Sequence, residues 1–150
     1  MRRLNPSALT LADLGCFEID LEEVEVPLLG LVQAGAPMEA VLDERTVSIP
    51  RDMLGSFRTF ALQVQGSSMI DEHIRPGDII VVEERRTAEN GQTVVALINE
   101  SDVTLKKFYL ERDHIRLEPA NATMEPIILR HEQVRVLGVV AGLIRHYSRH

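Results

Sequence analysis

The sequence predicts a mostly β fold: a compact domain of several short, largely antiparallel strands with one short helix. Three observations carry that expectation. Hydrophobic residues make up 45% of the 150 residues but aromatic residues only 4%, with no tryptophan. The core must therefore be built from Val, Ile and Leu, which suit pleated, half-buried strands. Short apolar segments recur along the chain with turn residues between them. The punctuation is specific: Arg75-Pro76-Gly77-Asp78 puts Pro and Gly where a type II turn wants them, and Asn90-Gly91 is a hairpin signal.

In chain order, residues 1–26 mix Pro, acidic residues and scattered Leu, and end in Glu18-Ile19-Asp20-Leu21-Glu22-Glu23-Val24-Glu25-Val26. Acid alternating with apolar suits an exposed arm or edge strand better than a core helix. Residues 1–26 are thus expected to be an N-terminal arm or linker, and 27–150 the folded domain. The apolar segments follow as Leu28–Gln33, Phe60–Gln65, Ile79–Glu84, Thr93–Ile98, Val103–Phe108, Ile115–Glu118, Ile127–Leu129 and Val134–Ile144. Between the second and third, Ser67-Ser68-Met69-Ile70-Asp71-Glu72-His73 has helix-compatible residues and no β-rich run. The short helix is placed there, with Ser68 at its start.

The balance of charge narrows the function. A formal net charge of -7 argues against this chain gripping a phosphate backbone by itself, which draws on clustered Lys and Arg. The single cysteine, Cys16, cannot form an internal disulfide. No apolar run approaches the roughly 18 residues of a membrane span, and the N-terminus lacks the apolar core of a secretory signal, so a cytoplasmic, membrane-free protein is expected. The five histidines are dispersed; the close pair His146 and His150 lies in a polar tail without partner ligands, so neither metal nor cofactor is expected.

Three segments could do chemistry. Asp102-Val103-Thr104-Leu105-Lys106-Lys107-Phe108 alternates as a strand, aiming Thr104 and Lys106 at one face and Val103 and Leu105 at the other. A strand lysine taken alone usually covers an exposed face. Val64-Gln65-Gly66-Ser67-Ser68-Met69 brings a strand to an abrupt turn, which can expose a serine and converge backbone N–H groups as an oxyanion site requires. Gly-Ser-Ser alone is more often a turn and a helix cap. Finally, Leu29-Gly30-Leu31-Val32-Gln33-Ala34-Gly35-Ala36-Pro37 runs an apolar strand into small residues that could enter a narrow cleft; singly it reads as a strand and a loop. A Ser68/His73 triad is disfavoured, since five residues along a short helix separate the two poorly.

Together these segments resemble the catalytic domain of the LexA repressor and UmuD family. The shared features are Val32-Gln33-Ala34-Gly35-Ala36-Pro37, Gly66-Ser67-Ser68-Met69 followed by Ile70-Asp71, the turn Arg75–Asp78, the run Asn90–Ala96, and Asp102–Lys107, in the family's order. The likeness covers about residues 27–145, with Ser68 and Lys106 separated by 38 residues. It implies a self-cleaving serine/lysine peptidase. Ser68 is the nucleophile, Lys106 rather than Lys107 the base, and Ala34–Gly35 the bond cut, in a cleavage loop of about residues 27–45. Thr104 orients the amine, and the backbone amides of Ser67 and Ser68 form the oxyanion hole.

An ammonium cannot act as base. Lys106, with a free pKa of about 10.4, must therefore be held neutral by an apolar pocket, which the docked cleavage loop is expected to complete. The resemblance further implies a homodimer, activation by the RecA filament on single-stranded DNA, and DNA contact only through a DNA-binding domain absent from this chain. The 34 residues before the cut show no two-helix pattern with a basic face. A LexA-type regulator without its DNA-reading half and a naturally short, UmuD-like subunit of an error-prone DNA polymerase both fit. A non-catalytic dimerisation module is the alternative of another class; a signal peptidase is disfavoured by the lack of a membrane attachment.

Overall fold

The computed structural model describes residues 22–30 and 45–146, and within them the alternating and β-branched segments all become strands. These are β1 (Glu23–Gly30), β2 (Thr46–Pro50), β3 (Thr59–Gln63), β4 (Ile79–Glu84), β5 (Thr93–Ile98), β6 (Asp102–Leu110), β7 (Ile115–Glu118), β8 (Ile127–Leu129) and β9 (Val134–Ile144). They join in one nine-stranded sheet of order β2-β1-β3-β4-β9-β5-β6-β7-β8. Every pairing is antiparallel except that of β1 with β3. The expected fold class is the one found.

Five details differ from the sequence reading. The described part of the acidic stretch, from Glu23, is extended and pairs with β2, a strand that the sequence pattern did not reveal. β2 has only Val47 and Ile49 as apolar residues and ends at a proline, yet Ile49 is fully buried. The apolar segment beginning at Leu28 belongs to a strand that starts earlier, at Glu23. The short helix shrinks to a single 3-10 turn, Ile70–Glu72, with Ser68 two residues before it. It ends because His73 turns left-handed at φ 61, and Arg75, preceding a proline, disfavours helix beyond. Asn90-Gly91 does turn the chain, with Gly91 at φ 88, but β4 and β5 are not partners, since β9 runs between them. The hairpin turn lies instead at Asn99-Glu100, both at positive φ (50 and 59), as a type I′ turn demands.

Among the described residues, packing divides into three apolar clusters. Leu62, Val64, Met69, Ile80, Val82, Val95, Leu97, Val103 and Leu105 belong to the largest, which joins strands far apart in sheet order. The second sets Val94, Ala96, Phe108, Leu117, Val136 and Val139 together, and the third Val26, Ile49, Ala61 and Val81. The long β9 shifts register once against β4 and once against β5. Gly138 lies so close to β4 that a Cβ there would stand 2.4 Å from Val82 Cγ1 and 2.6 Å from the Glu83 carbonyl oxygen.

The segment bearing Ser68 is a closed loop. Val64 N–H donates to the Asp78 carbonyl and Gly77 N–H to the Val64 carbonyl, both at 2.8 Å. Asp78 is only 3% exposed; its carboxylate accepts from Arg75 N–H at 2.8 Å and from Arg145 Nε and Nη2 at 2.8 and 2.7 Å. The Arg145 guanidinium holds the Asp78 carboxyl below its ordinary 3.8. The resulting stabilisation is complete above that pH and fades only as pH falls past it towards the folded-state value. Replacing Asp78 with Ala is expected to destabilise the domain by about 2 kcal/mol at pH 7, from the loss of hydrogen bonds to a charged acceptor. An unchanged urea midpoint would show that the loop closes without it.

Candidate active site

Lys106 sits where β6 is buried on both faces. Val103 and Leu105 belong to the large cluster, while Thr104 and Lys106 lie across from Ala96 and Val94 of β5. Lys106 is 5% exposed and Thr104 7%. The amine donates to Thr104 Oγ1 at 2.7 Å and to the Leu105 carbonyl at 3.2 Å. Among the described residues no carboxylate pairs with it. Burial without a countercharge penalises the ammonium, and the Lys106 pKa is pushed down from 10.5 to about 8.

Lys107, one residue on and facing the opposite way, is the reverse case. Its amine forms an ion pair with Glu72, whose hydrogen bond holds the pKa above the ordinary lysine value. Of the two adjacent lysines, only Lys106 is set up to lose its proton near neutral pH.

Ser68 is half-buried in the turn that Gly66 opens at φ 81. Its hydroxyl has no hydrogen-bond partner among the described residues, Lys106 included. The backbone N–H groups of Ser67 and Ser68 are likewise without acceptors among the described residues, leaving both free to serve an incoming oxyanion. The turn is pinned to β6 on either side of Lys106: Met69, 1% exposed, packs in the cluster that contains Leu105, and Glu72 holds Lys107. The fold therefore brings the serine turn, the buried lysine and Thr104 to one region of the sheet. The expected cleavage bond, Ala34–Gly35, and the arm up to Leu21 lie outside the described residues.

Residues that the sequence reading did not single out hold this turn. Asn121 Nδ2 donates to the Ser67 carbonyl at 2.9 Å, and Asp71 Oδ2 accepts from Ala122 N–H at 2.9 Å. Asp71 N–H donates to the Ala120 carbonyl at 2.6 Å. A contact spanning some fifty residues between two polar loops carries no periodic signal, so nothing in the chain announces it. No group of three or more His, Cys, Asp or Glu side chains with metal-holding geometry occurs among the described residues.

Residues 27–141 match the Peptidase S24-like family. The chain belongs to the Peptidase S24-like family. The chain is also similar to curated proteins. It is 49% identical over 126 residues to the LexA repressor of Syntrophobacter fumaroxidans, an alignment that covers 84% of this chain and 61% of that protein. It is 45% identical over 141 residues to the LexA repressor of Caldicellulosiruptor saccharolyticus, covering 93% and 68%. With the LexA repressor of Koribacter versatilis the identity is 47% over 122 residues, covering 81% and 58%. This S24-like chain thus spans about three-fifths of the length of the first of these relatives.

Proposed function

We propose that this chain is the self-cleaving and dimerisation part of a LexA-type regulator of the SOS response, and that it hydrolyses its own Ala34–Gly35 bond. The observation that carries the reading is the buried, uncompensated Lys106 amine, held by Thr104 and flanked by the contacts that anchor the Ser68 turn. Neutral Lys106 takes the Ser68 proton as the hydroxyl oxygen attacks the Ala34 carbonyl. The Ser67 and Ser68 amides receive the oxyanion, and the lysine returns its proton to the Gly35 nitrogen as the C–N bond breaks. Water then releases the acyl group from Ser68 by the same base, and each molecule cuts once.

The parallel pairing of β1 with β3 supports an intramolecular reaction. Gly30 faces Gln63, so the two strands run 33 residues apart in register. β1 therefore runs to Gly30 alongside the strand that leads to the Ser68 turn. Tethering of this kind confers a high effective molarity.

On this reading residues 1–26 are an arm or linker and 27–150 the peptidase and dimerisation domain, free of cofactor. The protein works in the cytoplasm as a homodimer. The RecA filament on single-stranded DNA stimulates it by favouring the docked cleavage segment, and DNA is reached through a separate domain. LexA is preferred to an UmuD-like polymerase subunit because the relatives above are LexA repressors. The test is intact mass after incubation at pH 7 and at about pH 10: the expected product is a fragment beginning at Gly35, formed faster at the higher pH. An uncut chain at both values would overturn the proposal.

A further inference from the structure

The carbonyl of Ser67 and the N–H of Ser68 belong to one peptide unit, which is planar and trans, so the two groups point in opposite directions. Whatever holds the carbonyl therefore aims the N–H. The Ser67 carbonyl accepts from Ile70 N–H at 3.2 Å and from Asn121 Nδ2 at 2.9 Å. Asn121 is itself fixed: its Oδ1 accepts from Thr123 N–H at 3.0 Å and from Thr123 Oγ1 at 2.7 Å. That orients the side-chain amide with its NH2 towards Ser67. Its loop is tied to the same turn by Ala120 N–H to Met69 Sδ at 3.4 Å and by both bonds of Asp71.

We infer that Asn121 is a positioning residue, which holds the Ser67–Ser68 peptide so that the Ser68 N–H is presented as an oxyanion donor. The inference rests on the self-cleavage reading above. Asn121 touches no reacting atom; it acts through the peptide plane. An oxyanion donor gains its worth from being held in place before charge develops, and a single 3.2 Å bond from Ile70 leaves the plane free to rock. Loss of the second anchor should reduce the rate of the chemical step without altering the base, since Lys106 is held from β6 by Thr104 and Leu105.

The experiment compares wild type, Asn121→Ala and Asn121→Asp. The first readout is the first-order rate of self-cleavage from pH 6 to 10. Both variants should lower the high-pH plateau about tenfold, a fraction of the roughly 10²- to 10³-fold lost when an oxyanion donor is removed outright, and Asn121→Ala should leave the midpoint of the pH profile in place. Asn121→Asp keeps the Thr123 contacts and sets a carboxylate oxygen against the Ser67 carbonyl in place of the donor, so it reports on the plateau even where Asn121→Ala folds poorly. The second readout is the N–H residual dipolar coupling of Ser68 by NMR, taken in a Lys106→Ala background so that the chain stays intact. It should change on replacing Asn121 while the amides of β6 keep theirs. An unchanged plateau, a midpoint moved in Asn121→Ala, or an unchanged Ser68 coupling would overturn the inference. A wild-type chain that fails to cut would defeat the self-cleavage reading alone, with the coupling still deciding whether Asn121 sets the peptide.

Discussion

A Lys106→Met chain is expected to melt several degrees above wild type at pH 7 and to leave Ala34–Gly35 intact. The folded-state pKa of about 8 lies below the ordinary 10.5; at 1.36 kcal/mol per pH unit, holding this lysine protonated in the fold costs about 3 kcal/mol. Methionine has similar reach and no charge to desolvate. The substitution leaves the Thr104 hydroxyl, 7% exposed, without its partner, which takes back about 1 kcal/mol. The remaining gain of about 2 kcal/mol corresponds to roughly 4–8 °C in a domain of this size.

The sign of its pH dependence is fixed. Between about 8 and 10.5 the unfolded chain binds the proton that the folded chain has released, so wild-type stability rises across that window. The advantage of Lys106→Met is therefore full below pH 8 and gone by about 10.5. Thermal melts at pH 7, 9 and 10.5 decide the matter: a gain that persists unchanged at the highest pH would trace it to packing and not to a buried charge.

Replacing Ser68 with Ala is expected to slow self-cleavage by roughly 10⁴-fold or more, as removal of the attacking group does in serine peptidases. Ser67→Ala should stay within a few-fold of wild type, because on the proposed reading Ser67 contributes its backbone and not its hydroxyl. In the wild type the rate should follow the neutral fraction of Lys106. With a pKa of about 8, about a tenth of the molecules carry the free amine at pH 7, so the rate should rise about tenfold from there to a plateau above pH 9. Rate constants from intact mass would measure this. A flat or falling profile would remove Lys106 from the role of base, and equal loss in both serine variants would remove the distinction between Ser67 and Ser68.

Much of this architecture was legible because strand periodicity is local. β4, β5, β7, β8 and β9 occupy the segments that alternation and β-branched content marked, and the pairing of Thr104 with Lys106 follows from a period of two. The turn at Arg75–Asp78 was equally plain, since only Gly77, at φ 91, can take its required conformation cheaply. What escaped notice was non-local. β2 exists because β1 pairs with it, not because its own five residues insist on a strand. The real β5–β6 hairpin turn uses Glu100 at positive φ, a residue that announces no such thing. Asn121 reads as an ordinary loop residue until the fold sets it against Ser67. That Lys106 is dry while Lys107 is paired depends on Glu72, Met69, Val94 and Ala96, none of which lies near the two lysines in sequence.

The position of β9 bears on how the chain is made. Of the nine strands among the described residues it is the last in chain order, yet it fills the gap between β4 and β5 in the middle of the sheet. Until it emerges, β1 to β4 and β5 to β8 are two half-sheets, each presenting an unpaired edge where β9 belongs, an open template for pairing with another chain. The same late strand ends at Ile144, beside the Arg145 that closes the serine loop onto Asp78. A nascent chain therefore lacks both the middle of this sheet and the clasp on its serine loop until β9 and Arg145 have emerged, so on the proposed reading the capacity to cut itself should not precede them.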